Sequence, residues 1–387
     1  MTVEAPIRLA RPLVDQDELN EIQAVLSSGY LAQGPKVTEF ERLVADYVGT
    51  KHAFAMTSAT TALHLALVVL DIGPGDEVLV PDFTFPATAN VVVQQGARPV
   101  LVDVDPATFT VDLDDLEAKV TPRTRAVIPV HAFGLAADMD PIVALARRHG
   151  LAVIEDAACA IGTTYHGRHC GALGTLGCFS FHPRKVITTG EGGMITTDDD
   201  ALAERVALLR SHGGVRQDGR FVFEAAGFNY RMSDILAAVG VAQMRKLDAL
   251  IAAKRRMAAR LSGLLAGVPG LALPREPAWG GHIYQSYVVT LERGVDRDRV
   301  IQAMKQRGVE TTLGTYALHA QPFFGREYGY RTGELPGSYL AFTQSLALPL
   351  YPQLEDADLV RVAETLRGAL AEVAGREPVL AGAGEPR

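Results

Sequence analysis

Short apolar runs alternate with longer amphipathic stretches in the chain up to about residue 235. The short runs predict strands at residues 77–80, 99–104, 126–130 and 152–156. The amphipathic stretches between them predict helices at residues 87–95, 113–120 and 141–149. This order is typical of βαβ units in a parallel sheet, and the absence of regular polar alternation indicates helices on both faces. We therefore predict an α/β fold with its active site at the carboxyl ends of the strands.

The pattern changes near residue 235. A stretch rich in Ala, Leu, Lys and Arg, without an interior proline, predicts one long helix at 233–257 that connects two domains. Beyond it we predict a strand at 283–291 and helices at 297–307 and 355–373. The predicted domains are a large α/β domain at 26–250 and a smaller α+β domain formed by 1–25 and 251–373. Residues 374–387, rich in Gly, Pro and Ala, are predicted to be a flexible tail.

The composition is that of a globular protein, since 48% of the 387 residues are apolar and 21% are charged. The 37 Lys and Arg residues and 45 Asp and Glu residues give a net charge of −8, which argues against nucleic acid or acidic lipid as a partner. No apolar run is long enough for a membrane span, and no secretory signal is recognisable. Cys159, Cys170 and Cys178 indicate a reducing cytoplasm rather than a disulfide framework, and their spacing predicts no metal site.

One lysine stands out because of the residues around it. Lys185 follows Phe179-Ser180-Phe181-His182-Pro183-Arg184 and precedes Gly190-Glu191-Gly192-Gly193. A surface lysine before a glycine turn is the ordinary interpretation of such a residue. Here Pro183 ends a strand, and the glycines allow the backbone to approach a bulky group closely. A lysine in such a place can act as a nucleophile toward carbonyl groups.

Three further segments carry groups that suit a flat, phosphorylated cofactor. Asp156 ends a predicted strand, where it is either a helix N-cap or the partner of a protonated ring nitrogen. Ser58-Ala59-Thr60-Thr61 opens a helix whose N–H groups can bind an anion. Phe85 follows another strand and is either a core residue or a stacking surface for a ring. Together with Lys185, these groups match the requirements of pyridoxal 5′-phosphate (PLP).

These motifs resemble the DegT–DnrJ–StrS sugar aminotransferases, within the fold-type I (aspartate aminotransferase-like) PLP enzymes. The resemblance covers nearly the whole chain, from Arg11-Pro12 to Ala347-Leu348-Pro349-Leu350-Tyr351-Pro352. Its most specific parts are Glu155-Asp156-Ala157-Ala158, Ser180-Phe181-His182-Pro183-Arg184-Lys185 and Gly190-Glu191-Gly192-Gly193. It implies a large domain with a mostly parallel sheet flanked by helices, a smaller C-terminal α+β domain, and a homodimer with shared active sites.

The resemblance also implies a role for each matching residue. Lys185 binds the cofactor covalently and later moves protons, Asp156 binds the pyridine nitrogen, and Phe85 stacks on the ring. The other implied cofactor contacts are Ala59, Thr60, Cys159, Ser180 and, reaching into the neighbouring subunit, Asn229. Tyr316 and His319 lie in the region that the resemblance places near the sugar. Arg231 is a further candidate for substrate binding: its side chain either contacts a nucleotide diphosphate or pairs with a structural carboxylate.

Two positions depart from the family pattern. Cys159 stands where the family usually has Gln or His, three residues after the aspartate, and Thr315-Tyr316 stands where it often has His-Tyr. A branch of the family that removes a hydroxyl carries His in place of the lysine, and Lys185 argues against that branch.

The resemblance therefore implies a PLP-dependent aminotransferase that works by a ping-pong reaction through the amine form of the cofactor. The donor is an amino acid, glutamate or glutamine, and the acceptor is the keto group of a nucleotide-linked (deoxy)sugar. One alternative is another PLP reaction on a sugar, dehydration or elimination. The other is a non-enzymatic regulator on the same scaffold, against which the intact Asp156 and Lys185 and the negative net charge both argue.

Overall fold

The computed structural model of the protein describes residues 5–375. The helices are α1 (Gln16–Ser28), α2 (Pro35–Val48), α3 (Ala59–Val69), α4 (Ala87–Gln94), α5 (Leu113–Ala118), α6 (Met139–His149), α7 (Asp200–Arg210), α8 (Asp234–Leu265), α9 (Arg297–Gln306), α10 (Pro322–Tyr328), α11 (Pro336–Gln344) and α12 (Asp356–Ala374). The strands are β1 (His52–Met56), β2 (Glu77–Pro81), β3 (Phe83–Thr84), β4 (Arg98–Val102), β5 (Thr124–Val127), β6 (Ala152–Asp156), β7 (Thr164–Tyr165), β8 (Arg168–His169), β9 (Leu176–Ser180), β10 (Gly193–Thr197), β11 (Gly214–Gln217), β12 (Arg220–Phe223), β13 (Leu271–Ala272), β14 (Gly280–Gly281), β15 (Tyr287–Leu291), β16 (Thr312–Leu313), β17 (Tyr316–Ala317) and β18 (Ser345–Leu348).

The main sheet has seven strands in the order β1-β10-β9-β6-β5-β2-β4. The strands from β9 to β4 are parallel to one another, and β10 runs antiparallel to both of its neighbours. This arrangement confirms the predicted α/β fold with a mostly parallel sheet. The predicted strands and helices of this region agree with the observed ones within a few residues at each end.

Successive residues of the central strands point to opposite faces of the sheet, and both faces are buried. Leu79 and Val153 pack in a core that includes buried residues of α2, α6 and α8. Their neighbours Val78 and Ile154 pack in a second core that includes residues of α3, α4 and α7. Because each face meets helices, apolar residues occupy consecutive positions, which explains why the strands lack polar alternation.

The long helix α8 extends from one part of the molecule into another. It begins after Ser233, whose hydroxyl accepts a hydrogen bond from the Leu236 N–H at 3.3 Å, and it ends eight residues beyond the predicted position. Its first half packs against α1 and α2, and its second half packs against α12. We therefore propose a domain division within α8, with 26–250 and 251–373 on its two sides. Of residues 1–25, predicted in the smaller domain, the segment around Ile7 reaches the smaller part by pairing with Val309, whereas α1 packs against the first half of α8.

The smaller part contains the antiparallel sheet β13-β15-β18-β16, with α9 and α12 in the same core. The strand predicted at 283–291 was wrong at its start, since β15 begins at Tyr287. Tyr284 adopts φ 51°, in the left-handed region, and this interrupts the extended conformation. Ala374 closes α12, so the predicted tail begins inside a helix, and its residues 376–387 lie outside the described part. Within residues 5–375, none of the helices combines the length and apolar character that a bilayer-spanning segment requires.

Candidate active site

A cavity of about 580 Å³ opens at the carboxyl ends of β6 and β9, next to the N-terminus of α3. This is the position expected for a binding site in a parallel sheet. The cavity brings together seven of the residues singled out in the sequence, which are Ala59, Thr60, Phe85, Asp156, Cys159, Ser180 and Lys185.

Asp156 is the last residue of β6, and its side chain is held from two sides. The Thr88 hydroxyl donates a hydrogen bond to Oδ2 at 2.8 Å, and the Ala158 N–H donates to Oδ1 at 3.1 Å. The residue is only 6% exposed, and burial raises the pKa of its carboxyl group, while the two donors act in the opposite direction. Lys185 and His131 also favour the ionised form, and a protonated ring nitrogen would add a positive charge next to this buried carboxylate.

Lys185 lies in the turn that follows β9. Its backbone N–H donates to the His182 carbonyl at 2.8 Å, and its Nζ donates to Cys159 Sγ at 3.1 Å. Gln285 fixes the preceding residue, since its Nε2 donates to the Arg184 carbonyl at 2.5 Å. The loops after β6 and β9 therefore place an amine and a buried carboxylate in one cavity, although the hairpin β7–β8 separates them in sequence.

The N-terminus of α3 forms another wall of the cavity. Ser58 caps the helix, because its hydroxyl accepts from the Thr61 N–H at 3.1 Å, while Thr61 Oγ1 accepts from the Ser58 N–H at 3.1 Å. Ala62 donates the first backbone bond of the helix, to the Ser58 carbonyl, so the N–H groups of Ala59 and Thr60 precede the helical ladder. Such groups at a helix start suit a phosphate.

A glycine allows the sheet to approach this helix start. A Cβ added to Gly193, the first residue of β10, would lie 2.4 Å from the carbonyl carbon and oxygen of Ser58. Side chains essentially never approach backbone atoms that closely, so glycine is required for the close contact. The wall of the cavity at this point therefore depends on the glycine segment that stands out in the sequence.

Phe85 is 65% exposed and follows β3 at the edge of the cavity. A large aromatic side chain exposed beside a cavity is available to stack on a flat ligand. Phe85, the carboxylate of Asp156, the amine of Lys185 and the N-terminus of α3 thus fit the parts of PLP: its ring face, ring nitrogen, aldehyde and phosphate.

Four predicted residues lie elsewhere. Asn229, Arg231, Tyr316 and His319 are all described, and none of them lines the cavity. His319 is 1% exposed: Nδ1 lies 2.6 Å from Asp82 Oδ2, and Nε2 accepts from the Gly333 N–H at 3.1 Å. With both ring nitrogens engaged inside the protein, His319 joins two chain segments, and its side chain does not line the cavity.

Sequence reasoning missed the role of Glu155, whose side chain points to the opposite face from the cavity. Both of its oxygens are buried and saturated, because they accept hydrogen bonds from the N–H groups of Gly171, Leu173 and Gly174 at 2.7 Å each, and lie next to His131 Nε2 at 2.9 Å. His131, Glu155 and Cys170 have potential ligand atoms within 4.8 Å of one another. The carboxylate oxygens that a metal ion would need are already saturated by hydrogen bonds. They indicate a structural role, in which Glu155 holds the loop before β9 against β6.

We expect Glu155→Gln to lower the free energy of unfolding by about 3 kcal/mol, because an amide nitrogen would face donors and leave buried N–H groups without an acceptor. Urea unfolding followed by circular dichroism would measure the change. Glu117→Gln, at an exposed glutamate paired with Arg148 on the surface, is the control and should change stability little. Equal stability of Glu155→Gln and the wild type would contradict the structural role.

The comparisons with known proteins agree with this geometry. The sequence model of the DegT/DnrJ/EryC1/StrS aminotransferase family matches residues 12–367. GDP-perosamine synthase of Caulobacter vibrioides is 43% identical over 93% of this chain and 97% of its own. DesV of S. venezuelae, solved with a ketimine intermediate, is 36% identical with a TM-score of 0.88, covering 97% of this chain and 100% of that one. Spr1654 of Streptococcus pneumoniae, solved in a PMP form, is 27% identical with a TM-score of 0.92, covering 96% and 99%.

Proposed function

Because the chain belongs to the DegT/DnrJ/EryC1/StrS aminotransferase family, we propose that this PLP-dependent sugar aminotransferase takes its amino group from glutamate or glutamine and delivers it to a nucleotide-linked keto-sugar. The observation that carries the proposal is one cavity that holds Lys185, Asp156 and the N-terminus of α3. A sugar aminotransferase needs these three elements together: an amine that moves protons, a carboxylate for the ring nitrogen and an anion site.

The proposed roles follow from the positions of the groups. PLP, when bound, withdraws electrons from the carbon that carries the transferred nitrogen. Lys185 Nζ would remove the proton from that carbon of the donor and deliver it to the former aldehyde carbon (C4′) of the cofactor. In the second half-reaction it would carry a proton in the opposite direction, from C4′ to the sugar carbon. Asp156 keeps the ring nitrogen protonated, Phe85 covers the ring, and Ala59, Thr60 and Ser180 bind the phosphate.

Two arginines support the proposed nucleotide linkage of the sugar. Arg11 and Arg184 line the cavity, and both are exposed, so they lie on its solvent side. Guanidinium groups suit a diphosphate because they donate paired hydrogen bonds to its oxygens. The name of the Caulobacter relative also contains a nucleotide-linked sugar. Arg231, the candidate for a diphosphate contact in the sequence, lies outside the cavity of its own chain, and its Nη1 donates to Ser211 Oγ at 3.2 Å.

We further propose a homodimer with shared active sites, in the cytoplasm. Asn229 is exposed and lies outside the cavity of its own chain, which supports a contact with the phosphate site of a partner subunit. Cys159, Cys170 and Cys178 are all free thiols, which supports a reducing compartment.

The donor and the acceptor can be identified with a panel of substrates. The holoenzyme is incubated with glutamate or glutamine carrying labelled nitrogen and with keto-sugars linked to GDP, UDP or dTDP, and the sugars are analysed by mass spectrometry. We expect label in an amino group on the sugar for at least one nucleotide, and no reaction with the same sugar lacking its nucleotide. Equal reaction of the free sugar would contradict the nucleotide linkage, and sugar dehydration without label would favour elimination over amino transfer.

A further inference from the structure

A second lysine reaches the same cavity from a different element. Lys254 lies on α8, is 5% exposed, and lines the cavity with Leu250 and Leu350. Its Nζ donates a hydrogen bond to the Leu350 carbonyl at 2.7 Å. An ammonium group carries three N–H donors, so this bond leaves two for another partner.

The second feature of Lys254 is its charge. Within residues 5–375, no carboxylate forms an ion pair with it, and burial alone lowers its pKa to about 8. The side chain therefore still carries a charge near neutral pH. Lys246, two turns earlier on α8, shows the contrast, since its Nζ lies 2.7 Å from Asp15 and 2.9 Å from Glu18. A buried cation without a counter-charge is costly, and an anion that enters the cavity would remove that cost.

We propose that Lys254 binds a carboxylate of the amino-acid donor. The inference rests on the proposed function, because it names the group that recognises the donor in the same cavity. Two free N–H groups on one buried ammonium match the two oxygens of one carboxylate. A nucleotide diphosphate is larger and more highly charged, and the exposed Arg11 and Arg184 on the solvent side suit it better.

Lys254→Met tests the proposal in the holoenzyme. The donor half-reaction is followed by the absorbance change of the cofactor at increasing glutamate concentration, and binding of glutarate, a dicarboxylate that cannot react, is measured by calorimetry. We expect the half-saturating glutamate concentration and the glutarate dissociation constant to rise about 10- to 100-fold, as for the loss of one hydrogen bond to a charged group. The limiting rate of the donor half-reaction and the half-saturating keto-sugar concentration should change much less.

Lys246→Met, on the same helix but outside the cavity, is the matched control and should retain glutarate affinity. If Lys254→Met does not fold, Lys254→Gln can still donate to the Leu350 carbonyl while it removes the charge. Unchanged glutarate affinity in the folded variant would overturn the inference, as would weaker keto-sugar binding with normal glutarate binding. Glutarate binding is measured without turnover, so a wild type that binds glutarate but reacts with neither glutamate nor glutamine would refute the proposed donors and leave the test of Lys254 valid.

Discussion

Lys185→Ala is expected to abolish amino transfer, with kcat at least about 10⁴-fold below that of the wild type. The reason is that Lys185 supplies both the amine that binds the cofactor and the base that moves protons in each half-reaction. In the described part of the chain, the other lysine of the cavity, Lys254, is engaged with the Leu350 carbonyl. Single-turnover absorbance with glutamate measures the loss. Borohydride reduction followed by peptide mass spectrometry should find the cofactor attached at position 185 in the wild type and not in the variant.

Lys185→Arg is the matched control for charge and length. Its guanidinium keeps a positive charge beside Cys159 but cannot act as a base near neutral pH, so this variant should be as inactive as the alanine variant. Small primary amines in solution can enter a cavity of about 580 Å³, and we expect them to restore part of the activity of Lys185→Ala only. Turnover of Lys185→Ala at the wild-type rate would remove Lys185 from the mechanism.

Much of the fold and part of the site could be predicted because their signals are local. The segment around Ser58 contains a strand, a cap and a helix start within a few residues, and the order of apolar runs predicted the parallel sheet. Asp156 ends β6, and Lys185 follows the neighbouring strand β9. Because the two strands are parallel, their carboxyl ends lie at the same edge of the sheet. The cavity follows from that topology.

The other features depend on contacts between distant segments, which a single sequence does not reveal. Lys254 belongs to a helix whose charged pattern is typical of an exposed surface, and its burial and its hydrogen bond to the distant Leu350 carbonyl are visible only in the folded structure. His319 was itself a predicted substrate contact, yet its contact with Asp82 places its side chain in the interior. Glu155 resembles its neighbour Asp156 in sequence, but successive strand residues face opposite sides of the sheet, and only Asp156 lines the cavity.

Asp156→Asn is expected to lower kcat about 10³-fold, the range seen when one preorganised electrostatic group is removed from a buried site. The amide keeps the shape of the side chain and can still exchange hydrogen bonds with Thr88 and Ala158. It carries no negative charge, so it cannot hold a proton on the ring nitrogen. The donor half-reaction should therefore slow far more than glutarate binding weakens, and stopped-flow absorbance with calorimetry separates the two effects.

Stability of the cofactor-free protein distinguishes this electrostatic role from a structural one. Burial raises the pKa of Asp156, so the folded state holds its proton more tightly than the unfolded state, and ionisation costs stability as pH rises above the ordinary value of 3.8. Asp156→Asn should therefore be at least as stable as the wild type at neutral pH, and the difference in stability should disappear in acid.

Asp234→Asn is the control for the loss of a buried carboxylate. Asp234 is also buried and accepts hydrogen bonds from the N–H groups of Gly34 and Val37, but it lies outside the cavity, so this variant should retain turnover. Normal turnover of Asp156→Asn, or a loss of activity that only follows unfolding, would contradict the role of this carboxylate.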